Sequence, residues 1–194
     1  MPHHETEIKV SVSNAGAVKR RLADLGFRRV EPRHFERNFL FDFPDLRLRK
    51  SSCVVRLRQE GKRSLLTFKG PPLKFSPYKI RREIETEVAD GRRIREILAA
   101  LGLRPVFCYE KYRTAYASHE TKTGVHTSGF VVFDETPIGN FLELEGPQRW
   151  IDKMAQKLGF RRQDYITASY VALYFAKCKA EGTKPQTTVF AARK

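Results

Sequence analysis

Near the start of the chain, two carboxylates and an ammonium stand at alternate positions: Glu5, Glu7 and Lys9. On an extended strand such residues share a face, and neighbours on that face lie about 6.5–7 Å apart. Glu5 and Glu7 can therefore offer oxygens to one hard cation, or pair with basic groups across a sheet. The pattern recurs with both signs. Arg56 and Arg58 alternate with Val55 and Leu57, and Thr67 and Lys69 with Leu66 and Phe68. Arg81, Glu83, Glu85 and Glu87 oppose Ile80, Ile84 and Val88, and Glu143 and Glu145 oppose Leu142 and Leu144. Arginine presents a fork that matches phosphate in two-point contact, and lysine adds a compact charge. Polar faces made almost wholly of charge point to anion and metal chemistry more than to a plain wet surface.

The elements that carry these residues come in two copies. Sliding the sequence on itself by 76 residues aligns 5–71 with 81–147 without a gap. Glu7-Ile8 falls on Glu83-Ile84, Leu25-Gly26 on Leu101-Gly102, and Phe68-Lys69-Gly70-Pro71 on Leu144-Glu145-Gly146-Pro147. Each half reads strand, helix, three strands. The period-2 pattern predicts strands at 5–12, 34–41, 53–59, 64–69, 80–88, 109–116, 129–134 and 140–145. Asn14 and Asp90 are expected N-caps, and Gly26 and Gly102 expected helix ends. Val18, Leu22 and Leu25 form one helical stripe, and Ile94, Ile97, Leu98 and Leu101 the other. Turns are expected at Leu46–Ser52 and Glu60–Arg63, further helices at 150–158 and 167–178, and a flexible tail over 181–194. The matched halves carry opposite signs: Glu5 falls on Arg81, Lys9 on Glu85, Arg58 on Asp134, Lys69 on Glu145. An open sheet with one solvated face would explain the alternation alone. Eight strands in two equivalent halves can also close around a charged interior, with helices outside, giving an α+β domain over 1–180.

The whole chain bounds the rest. Its 194 residues carry 37 Lys and Arg against 22 Asp and Glu, a formal charge of +15. The partner is therefore an anion: nucleic acid, an acidic membrane surface or a polyphosphate. Three widely spaced cysteines, Cys53, Cys108 and Cys178, exclude a disulfide framework and fit a reducing cytoplasm. No apolar run reaches membrane-spanning length, and the charged first residues are not those of a signal peptide. His3-His4, His34, His119 and His126 show no metal spacing, and Trp150 is expected in the core.

The ordered set Glu5-x-Glu7-x-Lys9, Arg56-x-Arg58, Lys69-Gly70, Arg81-x-Glu83-x-Glu85, Lys111-x-Arg113, Asp134 and Glu143-x-Glu145-Gly146 resembles the CYTH family of triphosphate tunnel enzymes. Phe41-Asp42 and Ser169-Tyr170 are similar too, so the resemblance spans about 3–175. It implies a closed eight-stranded antiparallel β-barrel, a divalent metal, Mg²⁺ or Mn²⁺, and a triphosphate-bearing small molecule. On that reading Glu5, Glu7, Glu143 and Glu145 hold metal. Lys9, Arg56, Arg58, Lys69, Arg81, Lys111 and Arg113 hold phosphate. Lys9, Glu7 and Glu145 are the catalytic candidates, and Glu83, Glu85 and Asp134 support. Arg37, matched to Arg113, is expected to face inward, and Glu87 to share the charged lining.

The expected activity is metal-dependent hydrolysis of inorganic triphosphate, thiamine triphosphate or a nucleoside triphosphate. An adenylyl cyclase making cyclic AMP and pyrophosphate from ATP is the alternative within the family. Binding of nucleic acid or polyphosphate without turnover is the alternative of another class. The basic runs Lys19-Arg20-Arg21, Arg28-Arg29, Arg92-Arg93 and Arg161-Arg162 are read as solvated faces, so nucleic acid is not the expected partner. A monomer or homodimer is expected, with no membrane association.

Overall fold

The computed structural model describes residues 4–118 and 129–190. His3, His119 and His126 therefore lie outside the described residues. Eight antiparallel strands close into a barrel: β1 (His4–Val12), β2 (Phe27–Asp42), β3 (Val54–Glu60), β4 (Arg63–Lys69), β5 (Lys79–Val88), β6 (Arg104–Ser118), β7 (Phe130–Thr136) and β8 (Gly139–Glu145). Around the barrel the order is β1-β5-β4-β3-β2-β6-β7-β8. Each half contributes four strands, but β1 and β5 are exchanged between them: β1 lies between β8 and β5, and β5 between β1 and β4, while β2 meets β6 on the far side. At the β1–β5 seam Glu5 pairs with Arg81, its own counterpart 76 residues on. This places a pseudo-twofold axis through the seam.

The helices form as their caps direct. Asn14 accepts from the Ala17 amide at the start of α1 (Ala15–Asp24). Asp90 accepts from Arg92 and Arg93 at the start of α3 (Gly91–Ala100). The turn expected at Leu46–Ser52 contains one helical turn, α2 (Arg47–Lys50). Two C-terminal helices follow, α4 (Gln148–Lys157) and α5 (Tyr170–Ala180). The larger core lies between α1 and α4 and the outer faces of β1, β7 and β8, where Ile8, Leu22, Val131, Phe133, Leu142, Leu144 and Ile151 are fully buried. A smaller one joins α3 to β2 and β3 through Phe41, Leu57, Leu98 and Leu103. The α3 stripe is narrower than expected. Ile97 and Leu101 are more than half exposed, as Leu98 alone of that stripe is fully covered. Ile84 is also half exposed, so no helix covers the outside of β5 at that point.

β2 and β6 are about twice the expected length, starting one and two residues after the helix-ending Gly26 and Gly102. Bulges conceal them in the sequence, because each extra residue inverts the alternation. Val30 bulges from β2 and its counterpart Val106 from β6. β2 slips once more between Glu31 and His34, around Pro32, and this slip has no partner on β6. Proline is tolerated in strands at such irregularities. Beyond it the two strands are out of step by one residue. Glu36 then corresponds to Lys111, with which it pairs, and Asn38 to Arg113. The gapless alignment equates Arg37 with Arg113; the structure puts Arg37 on the outside, half exposed and bound to Glu110 at 2.5 Å.

Staggered closure leaves two strand edges uncovered, and the C-terminal segments take both. Lys9 and Ile166 exchange backbone hydrogen bonds of 3.0 and 2.8 Å beside β1. Thr188 bonds to Cys108 and Glu110 beside β6, and Phe190 rests on Tyr112 with centroids 5.1 Å apart. The end of the segment expected as a flexible tail is thus seated on the barrel over residues 188–190.

Gly129 and Gly146 cross back to back beneath Trp150. A Cβ on Gly129 would lie 2.1 Å from the Glu145 carbonyl oxygen and 2.6 Å from the indole. Gly129→Ala should cost about 2–4 kcal/mol, since backbone on one side cannot yield. Gly61→Ala meets open space at φ +57, and should cost only about 1–2 kcal/mol. Urea unfolding of the two variants checks this; equal losses would show that the crossing is not tight.

Candidate functional site

Strand parity directs the charged side chains into the bore. Three groups of contacts hold them there. On the β1–β8 wall, Lys9 Nζ lies 3.1 Å from both Glu7 Oε1 and Glu143 Oε1. Lys79 Nζ lies 2.6 Å from the same Glu7 oxygen. Burial would raise the Glu7 carboxyl, but Lys9 and Lys79 outweigh it and hold it well below the ordinary range. Burial would likewise lower the Lys9 ammonium, yet Glu143 and Glu7 push it above its usual value. Glu145, opposite Glu7 in the ladder, has no such partner among the described residues. Burial and repulsion from Glu5, Glu7 and Glu143 push it up to about 9. Burial and the contact with Glu83 push Glu5 up to about 7.

On the β3–β4–β5 wall, Lys69 Nζ bridges Glu5 at 3.1 Å and Glu83 at 2.5 Å. Arg56 reaches Glu85 at 3.3 Å and Thr67 at 3.2 Å, and Arg58 reaches Glu85 at 3.1 Å. Arg81 is buried, and its guanidinium donates to the Ser52 carbonyl at 3.3 Å. Among the described residues no carboxylate forms an ion pair with it. Burial therefore lowers its pKa despite the more distant Glu83 and Glu5.

The third group is centred on Asp134, which is fully buried. Arg113 grips it at 2.7 and 2.6 Å, Lys111 at 2.9 Å, and the Tyr170 hydroxyl donates to it at 2.8 Å. Arg113 also pairs with Glu143. Burial beside Asp134 and Glu143 pushes the Tyr170 phenol well up, which keeps its proton for that donation. Glu36, also fully buried, faces Arg58, Lys111, Arg113 and His34 at 3.4, 3.5, 3.7 and 3.5 Å.

All the expected phosphate-binding and metal-ligand candidates, Lys9, Arg56, Arg58, Lys69, Arg81, Lys111, Arg113, Glu5, Glu7, Glu143 and Glu145, line one cavity of about 1590 Å³, with Glu83 and Glu85. Asp134 stands behind Lys111 and Arg113. Glu87 does not join them: it is more than half exposed at the rim, paired with Arg63 at 3.2 Å. Two residues of the site, Lys79 and Glu36, are not among the sequence candidates, and Tyr170 is there only as part of the resemblance, without a role. Lys79 lies one residue before the expected start of β5, and extending the alternation back by one step would have reached it. Glu36 was hidden by the slip in β2. Tyr170 comes from outside the repeat. With Lys79 and Glu36, the residues named in these three groups are eight cations and eight carboxylates, and Arg49, Arg63, Glu31, Asp42 and Glu60 border the same cavity.

The donor set on the β1–β8 wall is all oxygen, which suits a hard divalent ion. Glu5 and Glu145 lie on this wall beside Glu7 and Glu143, four carboxylates on two neighbouring strands. Among the described residues, His34, Glu36 and Glu60 are the trio of metal-type side chains whose ligand atoms lie within 4.8 Å of one another. Arg58, Arg63 and Arg113 already neutralise that trio.

A closed eight-stranded antiparallel barrel with a bore lined by paired charges is a tunnel-type fold. The CYTH domain family model matches residues 3–170, and the chain belongs to that family. A protein of Methanocaldococcus jannaschii, named as a candidate adenylate cyclase, is 31% identical over 142 residues, covering 73% of this chain and 75% of its own. A Vibrio parahaemolyticus structure, also described as a candidate adenylate cyclase, superposes with a TM-score of 0.74 at 18% identity, covering 88% of this chain and 97% of that one. A Hippeastrum protein, described as a candidate adenylyl cyclase with a dominant triphosphatase activity, gives 0.60 at 18%, covering 93% and 97%. No helix among the described residues is long and apolar enough to cross a membrane.

Asp134→Ala would leave Lys111 and Arg113 buried without their main partner, and should cost about 3–5 kcal/mol. Arg37→Ala removes an outer pair and should cost about 1 kcal/mol or less. Unfolding by urea compares them; similar losses would contradict the slip in β2 that turns Arg37 outward.

Proposed function

We propose that this chain is a divalent-metal-dependent triphosphatase acting on a triphosphate-bearing small molecule held in the bore. The observation that supports the reading is the cluster of four carboxylates, Glu5, Glu7, Glu143 and Glu145, on the neighbouring strands β1 and β8, in a cavity also lined by Arg56, Arg58, Lys69, Lys111 and Arg113. Pure anion binding needs only the basic residues. Glu5, Glu7, Glu143 and Glu145 would hold Mg²⁺ or Mn²⁺, which when bound supplies charge neutralisation and a polarised water.

The chain's own residues bind and orient the substrate. Arg81, already free of carboxylates, takes phosphate oxygens without giving up an ion pair. Arg56, Arg58, Lys69, Lys111 and Arg113 exchange carboxylate for phosphate, with Glu83, Glu85 and Asp134 fixing their direction. Lys9, between Glu7 and Glu143, donates to the phosphoryl group being transferred or to its leaving oxygen. Catalysis of this kind rests on positioning and charge stabilisation, with little covalent work for the protein.

Cyclic AMP formation from ATP is the second reading, favoured by the name of the Methanocaldococcus jannaschii relative. The Hippeastrum neighbour, similar in fold alone, is described as mainly a triphosphatase. A panel of tripolyphosphate, thiamine triphosphate and ATP, scored for phosphate and for cyclic AMP, separates the two reactions. Glu7→Gln and Glu145→Gln are expected to cut metal-dependent turnover at least about tenfold, the low end of what even indirect metal contacts cost. Tripolyphosphate at 100 times its Kd should stabilise the fold by about 2.7 kcal/mol with Mg²⁺. That corresponds to a Tm rise of roughly 5–11 °C, and much less is expected with chelator. Equal shifts in both conditions, with turnover intact in the variants, would refute the metal assignment.

A further inference from the structure

The repeat presents one outer surface twice, and only one copy of it is covered. β4 and β5 pair in the same register as β8 and β1: Thr67 lies opposite Glu85 as its counterpart Glu143 lies opposite Lys9. Outside β8 and β1, α4 packs beside α1, and Ile8 and Leu144 are fully buried. Their counterparts are Ile84 on β5 and Phe68 on β4, which face each other across the ladder. Ile84 is 49% exposed where Ile8 is 0%, and Phe68 is only partly covered.

The flanking helix repeats the contrast. Arg21 of α1 donates through Nε to the Lys157 carbonyl of α4 at 2.9 Å. Its counterpart on α3 is the exposed Ile97, and one turn further the exposed Leu101 matches the half-buried Leu25. An exposed i, i+4 apolar pair beside a bare sheet face is the surface an amphipathic helix lies against.

The chain cannot fill this place itself. After Gly146-Pro147 it enters α4, but after the matching Gly70-Pro71 it must return into β5. The connection bonds to that strand instead, Gly70 to the Arg82 carbonyl at 2.9 Å and Leu73 to the Ile80 carbonyl at 2.8 Å. It adds apolar surface: Leu73 is more than half exposed and Phe75 wholly so. Phe75 also has left-handed backbone at φ 58, between the φ-restricting Pro72 and Pro77. A bulky residue in that region is an outlier, and such strain clusters at ligand clamps and switch regions.

Charge selects the occupant. Arg82 projects from β5 between Ile80 and Ile84, and Lys74 stands between Leu73 and Phe75. Both are exposed, and among the described residues no carboxylate forms an ion pair with either. Glu96, on α3, is taken by Arg93 at 2.9 Å. A second copy of the chain would bring a further +15 against these cations. An acidic helix brings both the apolar stripe and the missing counter-charge.

We propose that the outer face of β4 and β5 beside α3 docks an amphipathic helix of another protein, acidic on its polar face, in the place that α4 takes beside α1. The site is independent of what the bore binds.

The test is fluorescence anisotropy of the full chain with two stapled helical peptides. Both carry the apolar stripe of α4 over residues 148–158. One keeps the natural polar face, and the other carries Arg149→Glu, Lys153→Glu and Lys157→Glu. The acidic peptide should bind at least about tenfold more tightly than the natural one, and Arg82→Glu in the protein should narrow that ratio. Ile84→Asp and Ile97→Asp should each weaken the acidic peptide at least about tenfold, the loss expected of a central apolar anchor. Both residues are exposed, so the variants should fold; their Tm verifies this. No saturable binding of the acidic peptide, or binding unchanged in both variants, would overturn the proposal. A dimer in sedimentation that both variants dissolve would assign the face to a second copy and overturn it as well.

Discussion

Everything in this fold answers to the burial of charge. Moving an ion out of water costs on the order of several kcal/mol even after relaxation. The eight cations and eight carboxylates described in the bore each lie close enough to opposite charge to offset much of that cost, with the exceptions of Arg81 and Glu145. The balance explains why no single contact dominates. Lys9 is shared between two glutamates, Lys69 between two others, and Asp134 between two cations and a phenol. It also explains the architecture. Charges of this kind tolerate a low-dielectric interior only when strands hold partners in register, and a closed barrel leaves few edges at which that register can slip.

The repeat makes the balance cheap to encode. One strand–helix–three-strand unit is used twice about a pseudo-twofold axis with the sign inverted between the copies: Arg58 corresponds to Asp134, Lys69 to Glu145, and Glu5 to Arg81, with which it pairs across the seam. Outside the bore the two copies diverge. α1 packs into the larger core and is joined by α4, whereas α3 leaves Ile97 and Leu101 in solvent. The surplus positive charge lies on these outer faces and the loops. A chain of +15 thus encloses a neutral bore.

Much of this was legible in the residues because strand parity is a strict code. Alternation over Glu5–Lys9, Arg56–Arg58 and Glu143–Glu145 placed those side chains on one face, and the structure puts them in one cavity. The code failed where parity itself breaks. The extra residue near Pro32 moved Arg37 outward and Glu36 inward, and no local feature short of pairing with β6 announces that slip. Proximity between distant elements is equally silent. Tyr170 reaches Asp134 because α5 returns to the mouth of the barrel, and Asp42 pins α2 through backbone amides that any sequence would supply. Parity could have included Lys79, but the start of β5 was set one residue late.

A neutral bore has a consequence for what can occupy it. A polyphosphate alone would draw Lys69, Arg56 and Arg58 away from Glu5, Glu83 and Glu85, and leave those carboxylates repelling both one another and the ligand. A divalent cation alone would have to displace Lys9 and Lys79 from Glu7. Arriving together, each supplies the charge the other removes: the ammonium groups released by metal turn to phosphate, and the carboxylates released by phosphate turn to metal. The two ligands should therefore bind with positive coupling, and linkage requires that coupling to be the same whichever binds first. On the proposed function the exchange would begin at Arg81 and Glu145, one a buried cation and the other a buried carboxyl, since neither would have to leave an ion pair among the described residues.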